Sequence, residues 1–286
     1  MTSVARLSLY FFLLFLLIAC TSVIDPYSLQ GEAYGTTWQI KFFEDQNVID
    51  KEELEIKVKE ELMRIDSIFS LYDKESSISK INKNKNLSWN NLPGNKDFQE
   101  LSKVSSEVVN NSNGSYEVFL NGEWDFNSVA KGYAVDRVCQ ILELYNLKNY
   151  MVEIGGEIRF SGKKPDGYWK FAIINPSLQN KMFDEFSTPI NLSIATSGNY
   201  RNPGHIIDPD TNLSIQSNLL SVSVIDETST AKADAWATAL FATKIDWLNL
   251  ANNKEIAAFF IFEEGGKMNS IASEKWIELL LSLIHI

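Results

Sequence analysis

The chain has 286 residues, of which 45% are hydrophobic, 12% aromatic and 22% charged, a composition that excludes disorder and leaves enough apolar material for a sizeable core. A formal net charge of −11 without any Lys/Arg cluster argues against nucleic acid as a partner. Two histidines exclude a His-rich zinc site and restrict any Ser-His-Asp hydrolase to His205 or His285.

The first 19 residues read as a targeting segment. Arg6 is their only charge, and Leu9–Ile18 is apolar apart from the Tyr10 hydroxyl. That run is shorter than the ~20 residues of a membrane span. It ends in Leu17-Ile18-Ala19-Cys20, which resembles a bacterial lipobox, so Cys20 is expected to carry lipid and to begin the mature chain. Residues 20–30 read as a tether and 31–286 as one large domain. Trp38–Phe43 is strand-like. Glu52–Phe69 is helical, with Leu54, Val58, Leu62, Ile65 and Phe69 on one face. A polar, Ser-rich loop is expected from Asp66 to Asn82, then a helix over Phe98–Val109 and a turn over Asn110–Gly114. Ala130–Tyr145 patterns as a helix that includes Cys139 as a small core residue. Met151–Ile154 is a buried strand running into Gly155-Gly156. Trp169–Ile174 and Leu219–Ile225 are further strands, Ala231–Leu250 a helix, Ala257–Phe262 a core strand and Trp276–Leu283 a short final element. Helices and strands alternate without a βαβ rhythm, so the fold class is α+β, with mixed sheets and packed helices.

Four segments could carry chemistry. Asp234 and Thr238 are four apart on a helix, so a carboxylate and a hydroxyl share one face, which suits Mg²⁺; the same spacing also arises by chance. Asp125–Asp136 feeds a helix start where backbone N–H groups and Lys131 favour phosphate; the plainer reading leaves Lys131 as a solvated helix-start residue. No Walker spacing is present. Glu153-Ile154-Gly155-Gly156-Glu157 permits a close backbone approach or a simple turn. His205, near Thr196–Arg201 and Asp208, serves equally as a base or as a structural hydrogen-bonder.

In content and in order these segments resemble the ApbE family, the FAD:protein FMN transferases. Gly31–Trp38 looks like the opening G-x-A-M-G-T-x-W with Tyr34 in place of Met. Phe69–Asn82 is similar to the S-x-Y-D-P-x-S-E-I-S-x-x-N loop, and Gly114–Val118 to G-A-F-D-V. The D-x-x-x-x-A-K-G-Y-A-V-D, G-G-(D/E)-I, T-S-G-x-Y-R, H-I-I-D-P and A-D-A-x-A-T-A motifs follow, so the resemblance covers about 31–265.

The resemblance implies a T-fold-like α+β domain that moves FMN from FAD onto a threonine of an acceptor flavoprotein, with Mg²⁺. It implies that Asp234, Thr238 and the Ser128 carbonyl hold the metal. It further implies that Tyr34, Tyr72, Ser115, Tyr116, Glu117, Asp125, Lys131 and Ile207 contact FAD. His205 is expected to assist proton removal, with Lys131 beside the phosphates. The expected setting is a lipid-anchored enzyme on the extracytoplasmic face of a membrane. An FAD pyrophosphatase and a non-catalytic FAD-binding lipoprotein are the alternatives. One departure bears on all three: where the family continues T-x-G-P-L and W-G-F, Val118 here runs through Phe119–Trp124 straight to Asp125, and a segment that helps cover the flavin is missing. Glu117 for Asp, Ser128 for Ala and Asn212 for Gly are milder changes.

Overall fold

The computed structural model describes residues 25–43, 49–188, 191–200 and 203–281. Its frame is one antiparallel sheet of eight strands: β1 (Tyr27–Ala33), β2 (Thr36–Phe43), β5 (Asn149–Ile154), β6 (Glu157–Ser161), β9 (Leu192–Ser197), β10 (Leu219–Asp226), β11 (Ala257–Glu264) and β12 (Lys267–Ala272), in that spatial order. Two hairpins stand apart from it, β3 (Phe119–Leu120) with β4 (Glu123–Trp124) and β7 (Lys170–Ile174) with β8 (Met182–Ser187).

The period of two along each strand sends side chains to opposite faces, and both faces are covered. In β11, Ala258 and Phe260 enter the larger core, while Ala257, Phe259 and Ile261 enter the second. That double burial explains the unbroken apolar run Ala257–Ile261. The larger core lies under the helices α1 (Lys51–Phe69), α2 (Ser77–Lys83), α3 (Asn95–Asn111), α4 (Ala130–Leu144), α5 (Thr230–Ala242) and α6 (Trp247–Asn253). The second lies under β7, β8 and α7 (Glu274–Leu281), around Phe171, Trp276 and Phe259.

The α+β reading holds, and four local expectations change. The tether is shorter than read from the sequence, because Tyr27–Gly31 already pairs with Trp38–Phe42. The two strands join through Tyr34 and Gly35, both at positive φ (54° and 69°), the hairpin geometry that matches strand twist. The Ser-rich loop contains α2, because Ser76 caps it by accepting from the Ser79 N–H at 3.1 Å. The helix expected over Ala231–Leu250 is two, α5 and α6. Thr243 turns extended (ψ 140°) and Asp246 caps a fresh start by accepting from Leu248 and Asn249. Strands β6, β8, β9 and β12 were not foreseen; β8 is mostly exposed and carries no core signal.

Cys139 is buried in α4 as expected, and burial pushes its thiol well above the ordinary range. Among the described residues no helix is long and apolar enough to cross a membrane. The targeting segment and Cys20 lie outside those residues.

Candidate functional site

The site is built where α4 and α5 meet. A Cβ on Gly132 would collide with the Thr230 carbonyl oxygen, so only glycine lets the two backbones come this close. Asp136, one turn further along α4, clamps the contact. Its Oδ1 accepts from Thr230 N at 2.8 Å, and its Oδ2 accepts from Ala231 N at 3.1 Å and from Ser229 Oγ at 2.9 Å. The first turn of α5 is thereby satisfied from within the protein, and Arg159 adds its charge 3.5 Å from Asp136.

That clamp places Asp234. Its carboxylate is 4% exposed, and its Oδ2 accepts from the Gly132 N–H at 3.0 Å. One turn on, Thr238 Oγ1 lies 3.1 Å from Ser197 Oγ at the end of β9. The i,i+4 pair therefore faces the start of α4 and the sheet. Lys131, on the same first turn of α4, pairs with Glu157 at 2.6 Å, and Glu157 is 2% exposed. The second Glu157 oxygen accepts no hydrogen bond from the described residues. Burial first and the Glu157 charge second push Asp234 up to about 8, against the opposing Lys131 charge and Gly132 N–H.

Most of the remaining expected site residues have partners of their own. Ser128 Oγ donates to the Tyr116 hydroxyl at 3.1 Å, and Tyr116 is buried. The Ser115 hydroxyl lies 2.8 Å from the carbonyl oxygens of both Ser112 and Ala239, which pins this loop to α5. Glu117 turns back on its own chain, accepting from Val118 N and Phe119 N. Asp125 accepts from Asn127 N at 2.8 Å, and burial raises its pKa. The Tyr34 hydroxyl donates to Leu62 O at 2.9 Å, so ring and backbone are what Tyr34 offers a ligand. Tyr72 is 93% exposed, and His205 and Ile207 occupy exposed loop positions.

Ser128, Lys131, Asp234 and Thr238 are thus gathered at one corner, with Ser115 and Tyr116 behind it. Tyr72, His205 and Ile207 are exposed, and none of the contacts above joins them to that corner. Three contributors had no role in the sequence reading: Gly132, Asp136 and Glu157. Each stands inside a motif already picked out. The usable signal for Glu157 is an acidic residue between Ile154 and Ile158 on strands of core type.

Between Val118 and Asp125 stands the β3–β4 hairpin, whose turn residues Asn121 and Gly122 have φ of 54° and 79°. Asn82 fixes the hairpin by bonding both the N–H and the C=O of Trp124 at 2.8 Å. Trp124 meets Phe119, Phe98 and Phe126 at ring distances of 4.7, 5.0 and 5.7 Å. An open cavity of about 560 Å³ lies between the hairpin, Trp89, Phe98 and Lys85.

The donor set fits a divalent ion. The Asp234 carboxylate, which has no ion-pair partner of its own among the described residues, and the Thr238 hydroxyl one turn on are hard oxygen ligands. Among the described residues no group of three or more His, Cys, Asp or Glu side chains could hold a metal. A single carboxylate suits Mg²⁺, which keeps waters and shares its coordination with substrate phosphates.

The ApbE family model matches residues 34–124 and 120–260, the two stretches meeting at the hairpin. The FAD:protein FMN transferase of Vibrio cholerae is 28% identical over 282 residues, covering 79% of this chain and 84% of the relative. That of Haemophilus influenzae is 27% identical, covering 86% and 89%. Among solved structures, the flavin transferase ApbE from Vibrio cholerae superposes with a TM-score of 0.78 at 25% identity, over 90% of this chain and 99% of that one. The Pseudomonas stutzeri flavinyl transferase ApbE, in apo form, gives 0.76 at 25% identity, over 91% and 99%.

Proposed function

The chain belongs to the ApbE family, and on that footing we propose that it is a transferase that moves the FMN half of FAD, with release of AMP, onto a threonine hydroxyl of an acceptor flavoprotein. The observation that carries the reading is the Asp234–Thr238 face held against the start of α4 by the Gly132 N–H.

The chemistry is an in-line displacement at the FMN phosphorus. A bond forms from the threonine oxygen to that phosphorus. The bond from phosphorus to the bridging oxygen breaks, and AMP leaves with the electron pair. Asp234, Thr238 and the Ser128 carbonyl would hold Mg²⁺, which supplies charge neutralisation to the diphosphate. Lys131 contributes a further positive charge at the helix start. His205 is the general base that takes the hydroxyl proton. Ser115, Tyr116, Glu117 and Asp125 shape the wall against the dinucleotide, and Tyr34 and Tyr72 offer aromatic faces to its rings.

The short hairpin favours a second outcome at the same site. Fewer residues than the family pattern carries stand between the flavin and solvent, so water can replace threonine and give FMN and AMP. Incubation with FAD, Mg²⁺ and a threonine-bearing acceptor separates the outcomes. Covalent flavin fluorescence on the acceptor is the expected result. Free FMN alone supports the pyrophosphatase, and FAD binding without turnover supports a non-catalytic flavin lipoprotein.

We further propose that Cys20 is lipidated and holds the enzyme on the extracytoplasmic face of a membrane. The support is the apolar run ending in Leu17-Ile18-Ala19-Cys20. Cys20→Ser is expected to move the protein from the membrane pellet to the soluble fraction, and retention in the pellet defeats the assignment.

A further inference from the structure

We propose that Glu157 is a positioning residue that keeps the Lys131 ammonium off Asp234, leaving that carboxylate open to the divalent cation; the inference rests on the function proposed above. Three ionisable groups share the corner, and the two carboxyl groups are almost wholly withdrawn from water, Glu157 at 2% and Asp234 at 4% exposure. One ammonium serves both. It lies 2.6 Å from Glu157, while its influence on Asp234 is through space.

Glu157 is fixed for this task. It is the first residue of β6, paired with Ile154 across the Gly155-Gly156 turn. Its Oε2 lies 3.5 Å from where a Gly155 Cβ would stand. Among the described residues no donor meets Oε2, and Lys131 is the cation that balances Glu157. If the Glu157 charge is removed, Asp234, bonded to the N–H of the neighbouring Gly132, is the buried carboxylate that already feels that ammonium. A cation paired with Asp234 competes with a metal ion for the same carboxylate oxygens. Glu157 thus acts on the metal through Lys131, without touching it.

The test uses the full-length protein and Mn²⁺ alone, titrated by electron paramagnetic resonance without FAD. Glu157→Gln is expected to weaken Mn²⁺ binding by about 10- to 100-fold, the range for residues that orient metal ligands. Glu157→Asp, which keeps the charge, loses less. The double variant Glu157→Gln/Lys131→Met regains most of the wild-type affinity, because the competing ammonium is gone. In turnover, Glu157→Gln raises the Mg²⁺ concentration for half-maximal rate and recovers its rate at high Mg²⁺. Wild-type Mn²⁺ affinity in Glu157→Gln overturns the proposal. So does a double variant as weak as Glu157→Gln, because Glu157 would then act without Lys131. A wild-type protein that transfers FMN while either result appears leaves the proposed function intact. A wild-type protein that binds no Mn²⁺ and transfers nothing overturns both.

Discussion

The corner at Asp234 and the hairpin at Phe119–Trp124 lie at either end of one short stretch, Asp125–Val129, and are built on opposite plans. The corner joins residues about a hundred positions apart: Gly132 to Asp234 and Asp136 to Thr230. Its parts come together only when α4, α5, β6 and β9 have packed. The hairpin is local. A two-residue turn at positive φ folds Phe119 onto Trp124, and Asn82 pins the result to α2. Tertiary packing sets the chemistry, while turn geometry sets how much protein stands over it. The same chain can therefore keep one and shorten the other.

Four changes break or sharpen that contrast. The largest effect is expected from Asp234→Ala, which removes the buried carboxylate. Mg²⁺-dependent turnover should fall by about 10²–10³-fold, the usual cost of losing one charge-stabilising group. Circular dichroism should show the fold retained, and undiminished turnover under EDTA and Mg²⁺ controls removes Asp234 from the site. Gly132→Ala comes next. The new methyl meets the Thr230 backbone, and overpacking of this kind costs about 1–3 kcal/mol, read as a lower midpoint in urea. Activity should fall with it, because the Gly132 N–H bond to Asp234 is displaced.

On the hairpin side, Trp124→Ala removes a half-buried ring with three aromatic neighbours and is expected to cost about 2 kcal/mol. Its signature should be more free FMN relative to transferred FMN, with the Mg²⁺ requirement unchanged. An altered Mg²⁺ requirement would mean that the two regions are coupled. A pH effect belongs to the corner alone. Asp234 is raised from the ordinary carboxylate range to about 8, so between those values the folded protein holds a proton that the unfolded chain has released. The metal-free protein should therefore lose stability as pH rises through that window. Asp234→Asn should flatten the slope, which thermal melts in EDTA at a series of pH values would record.

What the sequence allowed follows the same division. Asp234 with Thr238, Lys131 at a helix start and the paired glycines at 155–156 were all readable, because helix period and strand endings are local facts. The split between α5 and α6 was missed because Thr243 and Asp246 are ordinary residues in a helical pattern until the turn forms. Strand β1 was missed because Leu29 is its one buried apolar residue. Asp136 and Glu157 had no role because their partners, the α5 amides and Lys131, are fixed only by packing. The hairpin was visible as a shortage of residues, but its Asn82 clasp depends on a pairing 42 positions apart.

Cys139 offers a way to watch the corner directly. It is the only cysteine among the described residues, fully enclosed in the helix whose first turn carries Lys131 and Gly132. A thiol reagent can reach it only when that helix leaves the core. In a Cys20→Ser background the labelling rate becomes a native-state opening clock for α4, read without denaturant. Ions or nucleotides that engage the site should slow that clock in proportion to how tightly they bind the closed form.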